Sequence, residues 1–182
     1  MSAFYKSALF IDGLSLKFTA KALGFDIDFK RLLAEFARRG PLVRAYYYTS
    51  IVDDNAAYST TRPLTDWLSY NGFTVVTKVA KEQNDGEDRR AFKRNIGVEL
   101  SVDAIETTKH VDQIVLFSGD GDLCRLVEAI QRRGRRVMVV SSLRASTPMI
   151  ADGLRRQADE FLELDNLRTV IGRSLPQQNG KN

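Results

Sequence analysis

Short continuous apolar runs alternate with segments of helical spacing along most of this chain. Ala8-Leu9-Phe10-Ile11 is the first run, and it stops at Asp12-Gly13. The same signature recurs at Leu42–Tyr48, Phe73–Val76, Ile114–Phe117 and Val137–Val140. Runs this short that are apolar at every position predict strands buried on both faces, as in a parallel sheet. Between them, Phe29, Leu32, Leu33 and Phe36 fall at i, i+3, i+4, i+7 behind Asp28, a residue type that caps helices. Leu64, Trp67 and Leu68 repeat that spacing after Pro63, with Trp67 expected in the core. Val98, Val102 and Ile105 predict a further helix. Leu123, Leu126, Val127 and Ile130 complete another stripe, ended by Gly134.

Strands alternating with helices predict βαβ units, hence an α/β fold of three layers, α/β/α, around a mostly parallel sheet. No internal repeat is present. Val79–Arg94 is rich in charge and poor in large apolar residues, so it reads as an exposed loop. Ser174–Asn182 is polar and reads as a tail, leaving residues 1–173 as one domain. The 182 residues are 43% apolar and 27% charged, which excludes a disordered, collagen-like or disulfide-stapled chain. Cys124 has no cysteine to pair with, so a reducing compartment is expected. Met1–Ser7 is polar and the four apolar residues after it fall short of a signal peptide or a membrane span of about 20 residues. A cytoplasmic location is the expectation.

The chemistry gathers at the ends of the strands. In an open parallel sheet, ligands bind beyond the carboxyl ends of the strands. The first run ends in Asp12, and the fourth is followed by Ser118-Gly119-Asp120-Gly121-Asp122. If those two strands are neighbours, three carboxylates reach one crevice. Clustered carboxylates either take up a proton or hold a cation. Oxygen ligands without nearby His or Cys favour Mg²⁺ or Mn²⁺ over Zn²⁺, and Mg²⁺ recruits substrate phosphates. The bland alternative is that Asp12 and Asp120 only begin turns and that Asp122 caps the helix starting at Leu123.

Other motifs are weaker. Neither a Gly-x-Gly-x-x-Gly nor a Gly-Lys-Ser/Thr phosphate loop occurs, so nucleotide-cofactor folds lose support. His110 sits beside Lys109 at a charged helix end, where it reads as solvated, and Cys124 lacks a partner histidine. The net charge of +4 and the pI near 9.3 are compatible with a polyanion partner. Residues 81–136 carry 11 bases and 11 acids, yet in separate blocks. Arg89-Arg90-Ala91-Phe92-Lys93-Arg94 directly precedes the helix that carries Glu99 and Asp103. Such a pairing of cations with acids suits a phosphate backbone cut by metal-assisted hydrolysis. Arg132, Arg133, Arg135 and Arg136 bracket Gly134 and read equally well as a solvated helix end.

The chain resembles the NYN domain family, relatives of the PIN-like nucleases, and within it the bacterial LabA-like subgroup. The carrying segments are Phe10-Ile11-Asp12-Gly13, Ala22-Leu23-Gly24-Phe25-Asp26, Tyr46-Tyr47-Tyr48-Thr49, Val115–Asp122 and Leu154–Phe161. The resemblance implies a PIN-like fold, a Mg²⁺- or Mn²⁺-dependent ribonuclease site and an RNA substrate, single-stranded or structured. It implies Asp12, Asp120 and Asp122 as catalytic metal ligands, joined by Asp103 of the helix motif. It also implies Ser15, Lys93, Arg94, Asn95 and Ser118 as contacts to the substrate. Two departures stand out. The helix motif Lys-Gly-Asn-x-Asp-Val-Glu-Leu-x-Val-Asp has Gly97 where an acid is expected, and Ser15 replaces an asparagine. Loss of the acid at 97 weakens cation affinity, and Glu99 lies about 200° around the helix from it. The alternative that follows is an RNA-binding, regulatory protein with impaired turnover. A haloacid-dehalogenase-type phosphatase is a distant third, because Leu14 stands where that chemistry needs an acid. A homodimer is compatible with this reading, although no stripe marks an interface.

Overall fold

The computed structural model describes residues 4–52, 55–80 and 96–174. Its central sheet has six strands: β1 (Ser7–Asp12), β3 (Leu42–Val52), β4 (Phe73–Ala80), β5 (Gln113–Phe117), β6 (Arg136–Ser141) and β7 (Glu160–Glu163). They lie in the order β4-β3-β1-β5-β6-β7, and every pairing is parallel. A separate antiparallel pair joins β2 (Phe25–Ile27) to β8 (Gly172–Ser174). The six-stranded parallel sheet agrees with the expected α/β architecture. β2, β7 and β8 were not expected. At three or four residues each they are too short to show a period.

Successive side chains of a strand point to opposite faces, and the core divides accordingly. Leu9 and Ile11 of β1, with Val115 and Phe117 of β5, face one layer. That layer is built from α1 (Gly13–Ala22), α2 (Phe29–Arg39) and α7 (Arg168–Ile171). Ala8 and Phe10, with Ile114 and Leu116, face α4 (Gly97–Thr107), α5 (Cys124–Gln131) and α6 (Asp152–Gln157). Ala8, Leu9, Phe10 and Ile11 have no exposed surface at all. Each of the larger three contributes about 1.5–3 kcal/mol of burial free energy, which anchors β1 firmly in the sheet.

Local signals set the helix ends. Asp28 caps α2 by accepting from the Arg31 N–H at 3.0 Å. Gly134, at φ 72°, follows α5 and adopts the left-handed conformation that ends a helix. Pro63 lies inside α3 (Asn55–Tyr70) rather than at its start. One expected core position is corrected: Trp67 is 40% exposed. The helix predicted from Val98, Val102 and Ile105 is present as α4, but Val98 and Val102 are 59% and 56% exposed. Leu100, Ala104 and Thr107 are the buried row of that helix. Both rows have helical spacing, so periodicity alone does not choose between them. Ser174 ends β8, and the rest of the expected tail lies outside the described residues, as does 81–94 of the expected loop.

Candidate functional site

β1 lies between β3 and β5, with β4 beyond one neighbour and β6 and β7 beyond the other. The chain therefore reverses its direction of sheet growth between β1 and β5, which is where open α/β sheets bind ligands. Ile11 stands opposite Phe117 in register, so Asp12 and Ser118 leave the sheet side by side.

Both loops are tied together by short polar links. The Asp12 carboxylate accepts from the Ser15 N–H at 3.1 Å, capping α1, and from the Ser118 hydroxyl at 3.3 Å. Ser118 is 1% exposed, and its oxygen in turn accepts from the Asp120 N–H at 3.2 Å. Asp120 accepts from the Asp122 N–H at 3.0 Å, opening a single 3-10 turn at Gly121–Leu123. The Ser15 hydroxyl accepts from the Gly119 N–H at 3.2 Å and so bridges α1 to the β5 loop. Asp12 and Asp120 thus cap turns, as the bland alternative held. Asp122 does not cap α5, which begins without a side-chain cap.

Electrostatics distinguish Asp12 from an ordinary cap. Burial pushes its carboxyl above the usual range, and the charge of Asp120 adds to that push. Hydrogen bonds from Ser15 and Ser118 oppose it without cancelling it. Tyr47 of β3 lies on the other side of the same turn. Burial and the Asp12 charge push its phenol up to about 12. A Cβ on Gly13 would stand 2.4 Å from the Tyr47 ring, so only glycine lets that ring pack under the start of α1.

The remaining acids go elsewhere. Asp103 accepts from the buried Tyr48 hydroxyl at 2.9 Å. Burial, and then this bond, push the Tyr48 phenol far up, so it donates at any physiological pH. Phe10, Tyr46 and Tyr48 stack beneath α4, with Phe10 and Tyr46 centroids 4.7 Å apart. Tyr48→Phe is expected to cost about 1–3 kcal/mol in a urea melt, because it leaves Asp103 without this donor. Glu99 binds Lys78 of β4 at 2.8 Å, and that bond holds its carboxyl below the usual range. Among the described residues, no three His, Cys, Asp or Glu side chains stand together as a metal-binding group. The structure therefore brings together Asp12, Ser15, Ser118, Asp120 and the backbone of Asp122, and it leaves Asp103 with Tyr48. Lys93, Arg94 and Asn95 lie outside the described residues.

A third segment was not legible beforehand. Residues 142–151 return from β6 across the β5 loop, where Ala151 N–H donates to the Gly119 carbonyl at 2.9 Å. The Ser141 hydroxyl donates to the Met149 carbonyl at 2.8 Å. A Cβ on Gly119 would stand 1.7 Å from that same carbonyl oxygen. Ser141 at the end of β6, Ser142 after it and the glycine of the fourth-strand motif were the available signal.

Residues 6–165 match the family model of the NYN domain. The chain belongs to the NYN domain family. This NYN domain is 36% identical over 168 residues to the low amplitude and bright protein LabA of Synechococcus elongatus, covering 90% of this chain and 86% of that one. Its fold is similar to the crystal structure of a protein of unknown function from Vibrio parahaemolyticus, with a TM-score of 0.73 and 26% identity. That likeness covers 93% of this chain and 97% of the other. The family is a PIN-like nuclease branch, so the NYN domain carries a nuclease- or RNA-related relationship. Among the described residues of the NYN domain, no helix is long and apolar enough to cross a membrane.

Proposed function

We propose that this NYN domain is a Mg²⁺- or Mn²⁺-dependent ribonuclease that hydrolyses phosphodiester bonds in single-stranded or structured RNA. The supporting observation is the Asp12–Asp120 pair at the switch point, in which burial and mutual repulsion oppose the charged form of Asp12. Such a pair fits a hard cation, because Mg²⁺ takes one or two carboxylates and keeps its other positions for water and phosphate. A cation held there would acidify a water and draw charge from a phosphate oxygen.

The chain's own residues do the rest. Asp12 and Asp120 would hold the cation, with Asp122 beside them; Asp103, engaged by the Tyr48 hydroxyl, would join them only on leaving that bond. Ser118 fixes the Asp12 carboxylate, and Ser15 fixes the β5 loop against α1. Lys93, Arg94 and Asn95 hold the RNA backbone.

A second reading is an RNA-binding, regulatory domain without turnover. Gly97 in place of an acid and the engagement of Asp103 by Tyr48 favour it. A cleavage assay on end-labelled RNA, with and without Mn²⁺, separates the two. The chain is expected to cleave only with Mn²⁺, Asp120→Asn to lose cleavage, and Gly97→Asp to cleave at lower Mn²⁺ concentration. RNA that is bound but left intact by both the chain and Gly97→Asp would establish the second reading.

A further inference from the structure

Helix α1 turns an unusual face to solvent directly beside the Asp12 crevice. Leu14 and Phe18, four residues apart on one side, are 49% and 55% exposed. Lys17 and Lys21 run alongside them at the same spacing, both exposed. Neither lysine forms an ion pair among the described residues. Ser15, Phe18, Lys21, Ala22 and Met149 line an open cleft of about 600 Å³. Two of these residues connect it to the carboxylates. The Ser15 N–H donates to Asp12, and the Met149 carbonyl sits against Gly119, next to Asp120.

We propose that this cleft seats an unpaired nucleobase of the RNA strand, stacked on Phe18, with Lys17 and Lys21 on the flanking phosphate. The proposal rests on the RNA reading above and adds a substrate preference to it. An exposed phenyl ring offers a base a flat apolar face, and stacking of this kind is indifferent to sequence. Paired cations on the same helix match the charge that must follow the base. In a duplex the bases are already stacked inside, so this cleft selects a single strand. A second copy of the chain is a poorer occupant, because a two-fold contact centred here sets the α1 lysines of the two copies against each other.

The test is fluorescence anisotropy without divalent ions, using a short fluorescein-labelled single-stranded RNA and the duplex of the same sequence. The single strand is expected to bind more tightly. Phe18→Ala is expected to weaken single-strand binding about 10-fold or more. Phe18→Tyr, which keeps the ring, is expected to retain it. Lys17→Ala and Lys21→Ala together are expected to lower the salt dependence of binding. Phe18 is exposed, so circular dichroism should show each variant folded. Unchanged single-strand affinity in Phe18→Ala overturns the cleft and leaves the RNA reading standing. Unchanged affinity with a shift from dimer to monomer in sedimentation overturns it in favour of a contact between copies. An unsubstituted chain that binds neither RNA overturns both readings.

Discussion

Asp12→Asn is expected to lower divalent-dependent RNA cleavage by about 10²–10³-fold while raising the thermal unfolding midpoint by about 2–4 °C at neutral pH. The first effect follows from removing one of two charges that would hold the cation. The second follows from the direction of the Asp12 shift. Its folded-state pKa is raised above the unfolded value, chiefly by burial. Folding therefore favours the protonated form, and that contribution is lost as pH rises through the raised value. The charge is a cost at neutral pH. Asparagine keeps an oxygen to accept the Ser15 N–H, so α1 stays capped while the buried charge disappears. The gain is on the order of 1 kcal/mol, in the range released when a functional strain is relaxed. Calorimetry across pH checks the sign: the two midpoints should converge below pH ~4, where carboxylates are protonated in both states. A variant that is no more stable than the parent at neutral pH would remove this account of the site.

Gly119→Ala is expected to destabilise the fold by about 3 kcal/mol, with a clear fall in the urea midpoint. The added methyl would meet the Met149 carbonyl oxygen at 1.7 Å, its carbon at 2.7 Å and Ile150 Cα at 3.0 Å. All three are backbone atoms, so no side-chain rotation relieves the overlap. Moving them breaks the Ala151–Gly119 hydrogen bond and withdraws Met149 from α1. Gly121→Ala is the control. Its nearest neighbour is the Ala151 Cβ at 3.0 Å, a contact that a few tenths of an ångström relieve, and it should cost less than about 1 kcal/mol.

The middle of the central sheet was legible because β1, β5 and β6 are buried on both faces along most of their length. β1 and β5 are apolar at almost every position, and such runs have few other uses. The outer elements left weaker marks. β7 reads Glu-Phe-Leu-Glu and is half-buried, so neither a continuous run nor a clean alternation results. α1 shows no clean period, since its second apolar row, Leu14 and Phe18, faces solvent. Within the site, Asp12 and Asp120 followed from strand ends plus topology. The roles of Ser118 as a bridge between them and of Tyr47 under Gly13 did not, because each depends on which residues the register sets opposite one another. Asp103 was placed by motif and lies with Tyr48, a contact across 55 positions that no spacing rule contains.

The position of β1 also sets an order of events. Its hydrogen-bond partners are residues 42–48 on one side and 113–117 on the other, so its second ladder waits for the far half of the chain. Until Gln113–Phe117 arrives, Ala8–Ile11 is an apolar edge, the kind of surface that recruits other strands. Contacts that span so much sequence form slowly. During synthesis Asp12 is made 106 residues ahead of Ser118, the residue whose hydroxyl it accepts from. Whatever the crevice does to RNA, a growing chain on a ribosome, surrounded by RNA, cannot do it before residue 120 has emerged.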